Sequence, residues 1–133
     1  MSEIDNVNHP QHYTAGFELR RLECIDITKH LPFSLGNAVK YVWRAGKKGD
    51  DAKALEDLEK ALWYIDLWDV NPEITRPQFG FGAARMIFDL TVPENSLRYA
   101  AVQKLLEEDT ENARDLIDRM KREIRQGAEA EDA

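Results

Sequence analysis

The amino-acid sequence predicts an all-α protein. The expected architecture is a small helical bundle built on an antiparallel helix hairpin, with an extended N-terminal arm before it and additional C-terminal helices after it. Three observations carry this. Apolar residues recur at spacings of three and four, as in Leu55, Leu58, Leu62 and Ile65. No alternating stretch of strand length is bounded by hairpin turns. Turn-forming residues such as Gly49-Asp50-Asp51 and Asn71-Pro72 separate the periodic segments.

Composition narrows the class. At 133 residues the chain has the length of one domain, 1–133, with room for a moderate core. A formal charge of -7 argues against general affinity for nucleic acid, which needs clustered lysine and arginine over a wide surface. No apolar run approaches the ~18 residues that span a membrane. The start Met-Ser-Glu-Ile-Asp-Asn has neither the basic beginning nor the apolar centre of a signal peptide. The single cysteine excludes an internal disulfide and fits a reducing cytoplasm. Cys24 lies in an apolar helical pattern, so it is expected in the core and not as a nucleophile.

In chain order, residues 1–17 read as the arm, because Asn8-His9-Pro10 breaks regular structure and Thr14-Ala15-Gly16 signals a turn. Residues 18–31 fit a helix through His30, ended before Leu31-Pro32. Glu23 and Asp26, three apart, then share a face that is solvated, or one of the two carboxylates pairs with a cation of the central helix or binds the sugar of a nucleotide. Ser34 is positioned to cap the central helix, whose main part runs from Asn37 to Ala45 and stops at Gly46. Asp50 or Asp51 caps the next helix, which extends to about Asp69. Its stripe is Leu55, Leu58, Leu62 and Ile65, with Asp57, Lys60 or Ala61, and Tyr64 on a flank. Trp63 and Trp68 are expected in the core or at a subunit contact. The short loop between these two helices predicts the hairpin. Residues 71–127 form the helical extension. It comprises a connector over Arg76 to Gly82, a helix from Ala83 to Leu90, and one opened by Pro93 through Leu97, Ala101, Leu105 and Leu106. A last helix, capped by Thr110, carries Ala113, Leu116, Ile117, Met120 and Ile124 and ends at Gly127. Residues 128–133 are an acidic tail, expected to be flexible. So many apolar stripes exceed what one hairpin buries, which makes a homo-oligomer plausible.

One stretch points to chemistry. Leu35 to Lys48 holds four cations, Lys40, Arg44, Lys47 and Lys48, and no acid, on an acidic chain. Asn37, Lys40 and Arg44 fall on one helical stripe. Two readings are open: an anion site, most naturally for phosphate, or cations that favour a helix C-terminus and solvate it. His9 and His12, three apart, admit a metal, but no Cys/His pattern of zinc-site spacing accompanies them, so no metal site is expected. Otherwise they hydrogen-bond loop backbone, or an imidazole there donates to phosphate or moves a proton near neutral pH. Tyr13 stacks on a base or anchors the arm.

Four segments in order, Val7 to Tyr13, Glu23 to Asp26, Leu35 to Lys48 and Glu56 to Tyr64, resemble the phage-borne nucleotide kinase-like (SaV-like) domain family, long known as a domain of unknown function. The resemblance covers about residues 5–70. It implies a phage or prophage nucleotide-binding protein in a bacterial host cytoplasm, with nucleoside monophosphate phosphorylation as the activity. Carried onto this chain, it implies Lys40, Arg44, His9 and His12 as catalytic groups. Asn8, Tyr13, Asn37, Lys47, Lys48, Asp57 and Lys60 would contact the nucleotide. No cofactor is implied beyond magnesium travelling with the nucleotide.

The phosphate loop G-x-x-x-x-G-K-[ST] is absent. Before Gly46-Lys47, Tyr41 occupies the first glycine's place, and Lys48 stands where the hydroxyl belongs. A kinase of this kind would use a Lys/Arg cluster for the phosphates, which phosphoryl transfer permits because positioning and charge stabilisation dominate it. Two other classes fit the same residues. One is a non-catalytic module that binds a nucleotide-like signal or a host protein. The other is an all-α nucleoside triphosphate pyrophosphohydrolase holding magnesium on Glu56, Asp57 and Glu59.

Overall fold

The computed structural model describes residues 23–47, 49–72, 80–91 and 95–132, with side chains described to residue 128. Among these residues there are six helices and no strand: α1 (Cys24–Thr28), α2 (Phe33–Arg44), α3 (Asp51–Val70), α4 (Gly80–Asp89), α5 (Leu97–Leu106) and α6 (Thr110–Asp132). The all-α expectation therefore holds. None of the helices is long and apolar enough to cross a membrane.

Helix α1 is one turn. The Glu23 amide donates to Asp26 Oδ2 at 2.9 Å, so these two residues cap the helix. Ile27 is buried, and Pro32 separates α1 from α2. Helix α2 begins at Phe33, four residues before Asn37, and Pro32 occupies its N-cap position. Ser34 therefore lies inside the first turn, buried, and is not the cap. Leu35, Ala38, Val39 and Val42 form the buried face. The helix stops where Gly46 takes φ +83°, a left-handed conformation suited to glycine. An Arg98 N–H from the start of α5 donates to the Ala45 carbonyl at this helix end, satisfying a group the helix leaves open.

Asp50 caps α3, its Oδ1 accepting from the Lys53 amide at 2.9 Å. The buried line of α3 is Ala54, Asp57, Leu58, Ala61, Ile65 and Trp68. This corrects the predicted stripe, since Leu55 and Leu62 are only half-buried. The alanines decide it: small residues let α2 approach closely, and the leucines fall on the shoulders. Asp57 accordingly moves from the flank into the contact between the helices. Trp68 is in the core, whereas Trp63 is 60% exposed. The hairpin is antiparallel, as Phe33 meets Tyr64 at one end and Arg44 meets Asp57 at the other.

The C-terminal helices close the bundle. Helix α4 starts at Gly80, ahead of the expected Ala83, and buries Phe81, Ala84 and Phe88. Ser96 caps α5, its hydroxyl accepting from the Tyr99 amide at 3.1 Å. Asp109 caps α6 in place of Thr110, with Asp109 Oδ1 accepting from the Asn112 amide at 3.2 Å. The Asn112 hydrogen bonds hold the Asp109 carboxyl below its usual range. The Thr110 hydroxyl instead donates to Asp69 on α3 at 3.0 Å. Helix α6 continues through Gly127 to Asp132, so Gly127 does not end it. Ala113, Ile117 and Met120 are buried as expected. Arg114 pairs with Asp66 at 2.8 Å and with Asp69, and Lys121 pairs with Glu59, fastening α6 along the outside of α3. Pro93 and the segment 73–79 lie outside the described residues.

Two glycines give a paired test of the α1–α4 contact. A Cβ on Gly80 would stand 2.4 Å from the His30 carbonyl oxygen, whereas one on Gly82 meets nothing within 4 Å. Gly80→Ala is expected to lower stability by about 1–3 kcal/mol. Gly82→Ala should raise it by about 0.5–1 kcal/mol. Thermal melts of the two variants check both signs.

Candidate functional site

One face of the α2–α3 hairpin gathers most of the described site residues. Its α2 side carries Phe33, Asn37, Lys40, Tyr41 and Arg44, and its α3 side carries Lys53, Glu56, Asp57, Lys60 and Tyr64. The steps between them are one, three or four residues, so each set lies along one side of its helix, and the antiparallel pairing aligns the two sets.

Asp57 is the centre. It is 0% exposed, and neither carboxylate oxygen has a hydrogen-bond partner. Two cations approach it from the rim of the hairpin: Lys53 Nζ at 3.4 Å from Oδ1 and Arg44 Nε at 3.8 Å from Oδ2. These are long ion pairs, not hydrogen bonds. The Arg44 side chain stays 43% exposed, so its guanidinium can reach solvent while leaning on Asp57. Glu56 bridges Lys53 at 3.4 Å and Lys60 at 2.9 Å, and those lysines hold its carboxyl below the usual range. Lys40 and Lys60 lie over the Tyr41 ring, at 4.7 and 5.5 Å from its centroid. The face thus sets four cations against two carboxylates, a local excess of positive charge on an acidic chain.

The predicted residues divide accordingly. Lys40, Arg44, Asn37, Asp57 and Lys60 come together. Asn37 uses its side-chain N–H on the Phe33 carbonyl at 2.8 Å, which locks it against its own helix. Lys47 sits apart, its ammonium 5.1 Å from the Trp43 ring on another side of α2. Asn8, His9, His12, Tyr13 and Lys48 lie outside the described residues. Glu56, Asp57 and Glu59 do not converge: the first pairs with lysines, the second is buried, and the third pairs with Lys121. No group of three or more His, Cys, Asp or Glu among the described residues is arranged to hold a metal ion. Cys24 is half-buried, and burial pushes its thiol up to about 11 despite the nearby charges of Lys47 and Lys40. The thiolate is therefore scarce at neutral pH, which suits a packing role.

Lys53 was not among the predicted site residues. Its signal was present, since it precedes Asp57 by four residues on one helix. Phe33 and Tyr41 were also missed, because Phe33 fell before the expected helix start and tyrosine at such spacing reads as core.

Comparisons with known proteins fall on this half of the chain. Residues 7–66 match a domain family described as a protein of unknown function, DUF3310. That span takes in α1, α2 and most of α3. The Gene 1.7 protein of Enterobacteria phage T3 is 37% identical over 68 residues, which are 48% of this chain and 42% of that protein. The matched part of the chain is similar to a phage-borne domain of unknown function. The chain covers less than half the length of that curated relative. No solved structure matches.

Proposed function

We propose that the hairpin face binds the phosphates of a nucleotide, and that the chain is a phage nucleotide-binding protein with nucleoside monophosphate kinase activity. The observation that carries this is the arrangement at Asp57: a fully buried carboxylate with no hydrogen bond, flanked by Lys53 and Arg44. A carboxylate so placed contributes little to stability. It does hold two cations in fixed positions at a solvent-reachable rim. Lys40 and Lys60 extend the same positive face. A face of this kind suits phosphate oxygens, with Arg44 able to bind two at once.

In the reaction proposed, an oxygen of the monophosphate attacks the terminal phosphorus of a triphosphate donor. The bond from that phosphorus to the bridging oxygen breaks, and two diphosphates result. Arg44, Lys40 and Lys53 would neutralise the oxygens around the transferring group. Magnesium would arrive bound to the triphosphate. The resemblance of residues 7 to 13 to the kinase-like pattern adds His9 and His12 as groups able to move the proton of the acceptor.

The test is a product assay on the full chain. Nucleoside monophosphates are offered with triphosphate donors, with and without magnesium, and the products are separated by chromatography. Diphosphate formation that disappears in Lys40→Ala and Arg44→Ala supports the proposal. Triphosphate falling directly to monophosphate would assign a pyrophosphohydrolase. Absence of turnover by folded protein would leave a binding module.

A further inference from the structure

We propose that the aromatic end of the hairpin face, formed by Phe33, Tyr41 and Tyr64, seats the base of the nucleotide whose phosphates lie at Arg44; this rests on the phosphate reading above. Phe33 belongs to the first turn of α2 and is 66% exposed, although it is among the largest apolar side chains of the hairpin. Its ring stands edge-on to Tyr64, with centroids 6.0 Å apart and planes at 77°. Tyr64 in turn lies nearly parallel to Tyr41, at 5.9 Å and 11°. Three rings therefore form a continuous π surface across both helices, and Trp63 flanks it, edge-on to Tyr64 at 5.0 Å.

The face is polarised along its length. Phe33 is at one end, Lys40 and Lys60 begin at the Tyr41 ring, and Arg44, Lys53 and Asp57 close the other end. From Phe33 to Arg44 is about 16 Å along the helix axis, with Tyr41 between them. A ligand that uses both ends must carry a flat aromatic group at one end and an anion at the other. Inorganic phosphate and sugar phosphates satisfy only the cationic end. A nucleotide satisfies both, because every base offers a π-face for stacking.

The test is calorimetric titration of the full chain with a purine and a pyrimidine nucleoside monophosphate, and with ribose 5-phosphate as a ligand lacking a base. The variants are Phe33→Ala, Tyr64→Leu and Tyr64→Phe, each checked for helicity and melting. Phe33→Ala lies on the surface, so it keeps the test valid if Tyr64→Leu folds poorly. Nucleotide Kd should rise about tenfold in Phe33→Ala and Tyr64→Leu. Tyr64→Phe, which keeps the ring, should bind as wild type, and ribose 5-phosphate should bind all variants alike. Equal nucleotide affinity in Phe33→Ala and wild type overturns the base seat while the phosphate site stands. Parallel loss of ribose 5-phosphate also overturns it, because the rings then merely support the cations. If Phe33→Ala changes the oligomeric state by light scattering and not the nucleotide Kd, the rings belong to a contact with a second copy. Failure of wild type to bind any nucleotide removes the phosphate reading itself, and the base seat with it.

Discussion

Arg44→Ala is expected to lower nucleotide affinity about ten- to a hundredfold while leaving the fold intact. Charge-assisted hydrogen bonds contribute about 1.5–3 kcal/mol each, and a guanidinium can offer two to one phosphate. The fold should tolerate the change. Arg44 is 43% exposed on the last turn of α2, and its pairing with Asp57 spans 3.8 Å. Its partner carboxylate is fully buried, so removing the guanidinium should cost about 1–3 kcal/mol, with Lys53 left 3.4 Å away as counter-charge. Diphosphate formation should fall further than affinity, by about a hundredfold or more, because charge stabilisation strengthens as the phosphoryl group moves. Arg44→Lys should recover part of the affinity, since it keeps the charge and loses the planar fork. Titration calorimetry and the product assay measure both quantities, with circular dichroism reporting helicity. Unchanged affinity in Arg44→Ala would make the stripe a solvated helix end, held there by the macrodipole.

The helical periodicity disclosed this hairpin because it is a strong, local signal. The loop Gly49-Asp50 announced both the turn and the cap of α3, and Ala113, Ile117 and Met120 follow the spacing that buries them. Its phase was harder to read on α3. Leu55 and Leu62 outweigh Ala54 and Ala61 on any hydrophobicity scale, yet close helix approach selects the small residues for the centre of the contact. That single-residue offset hid the burial of Asp57. Helix starts failed for a related reason. At α2 and α6 the expected caps were hydroxyl residues, but Pro32 and Asp109, one or two positions earlier, hold those places. The cation stripe of the site was legible, because Asn37, Lys40 and Arg44 lie on one helix. Its counterpart on α3 was only partly so, because Lys53 joins the site through packing between helices.

Asp57→Asn should separate stability from function. The wild-type carboxylate is buried without a hydrogen bond, and its partners stand 3.4 and 3.8 Å away. An unsatisfied buried charge costs more than a neutral amide of the same shape. The cations left behind are on the rim, where water can solvate them, so the usual penalty for breaking a buried pair does not arise. The variant should therefore melt at or above the wild-type temperature, with a gain of about 1–3 kcal/mol. Function should move in two directions. Removing a negative charge that competes with phosphate for Arg44 and Lys53 should tighten nucleotide binding and lower KM. The same change frees those side chains from their fixed positions, so kcat should fall, by about a hundredfold if placement is lost at the ångström scale. A lower KM with a lower kcat is the signature of a positioning residue whose ground-state interaction opposed binding. If Asp57→Asn instead melts several degrees lower, with affinity and turnover falling together, the carboxylate is a structural tie between α2 and α3. The reading of this face as a preorganised phosphate site would then lose its main support.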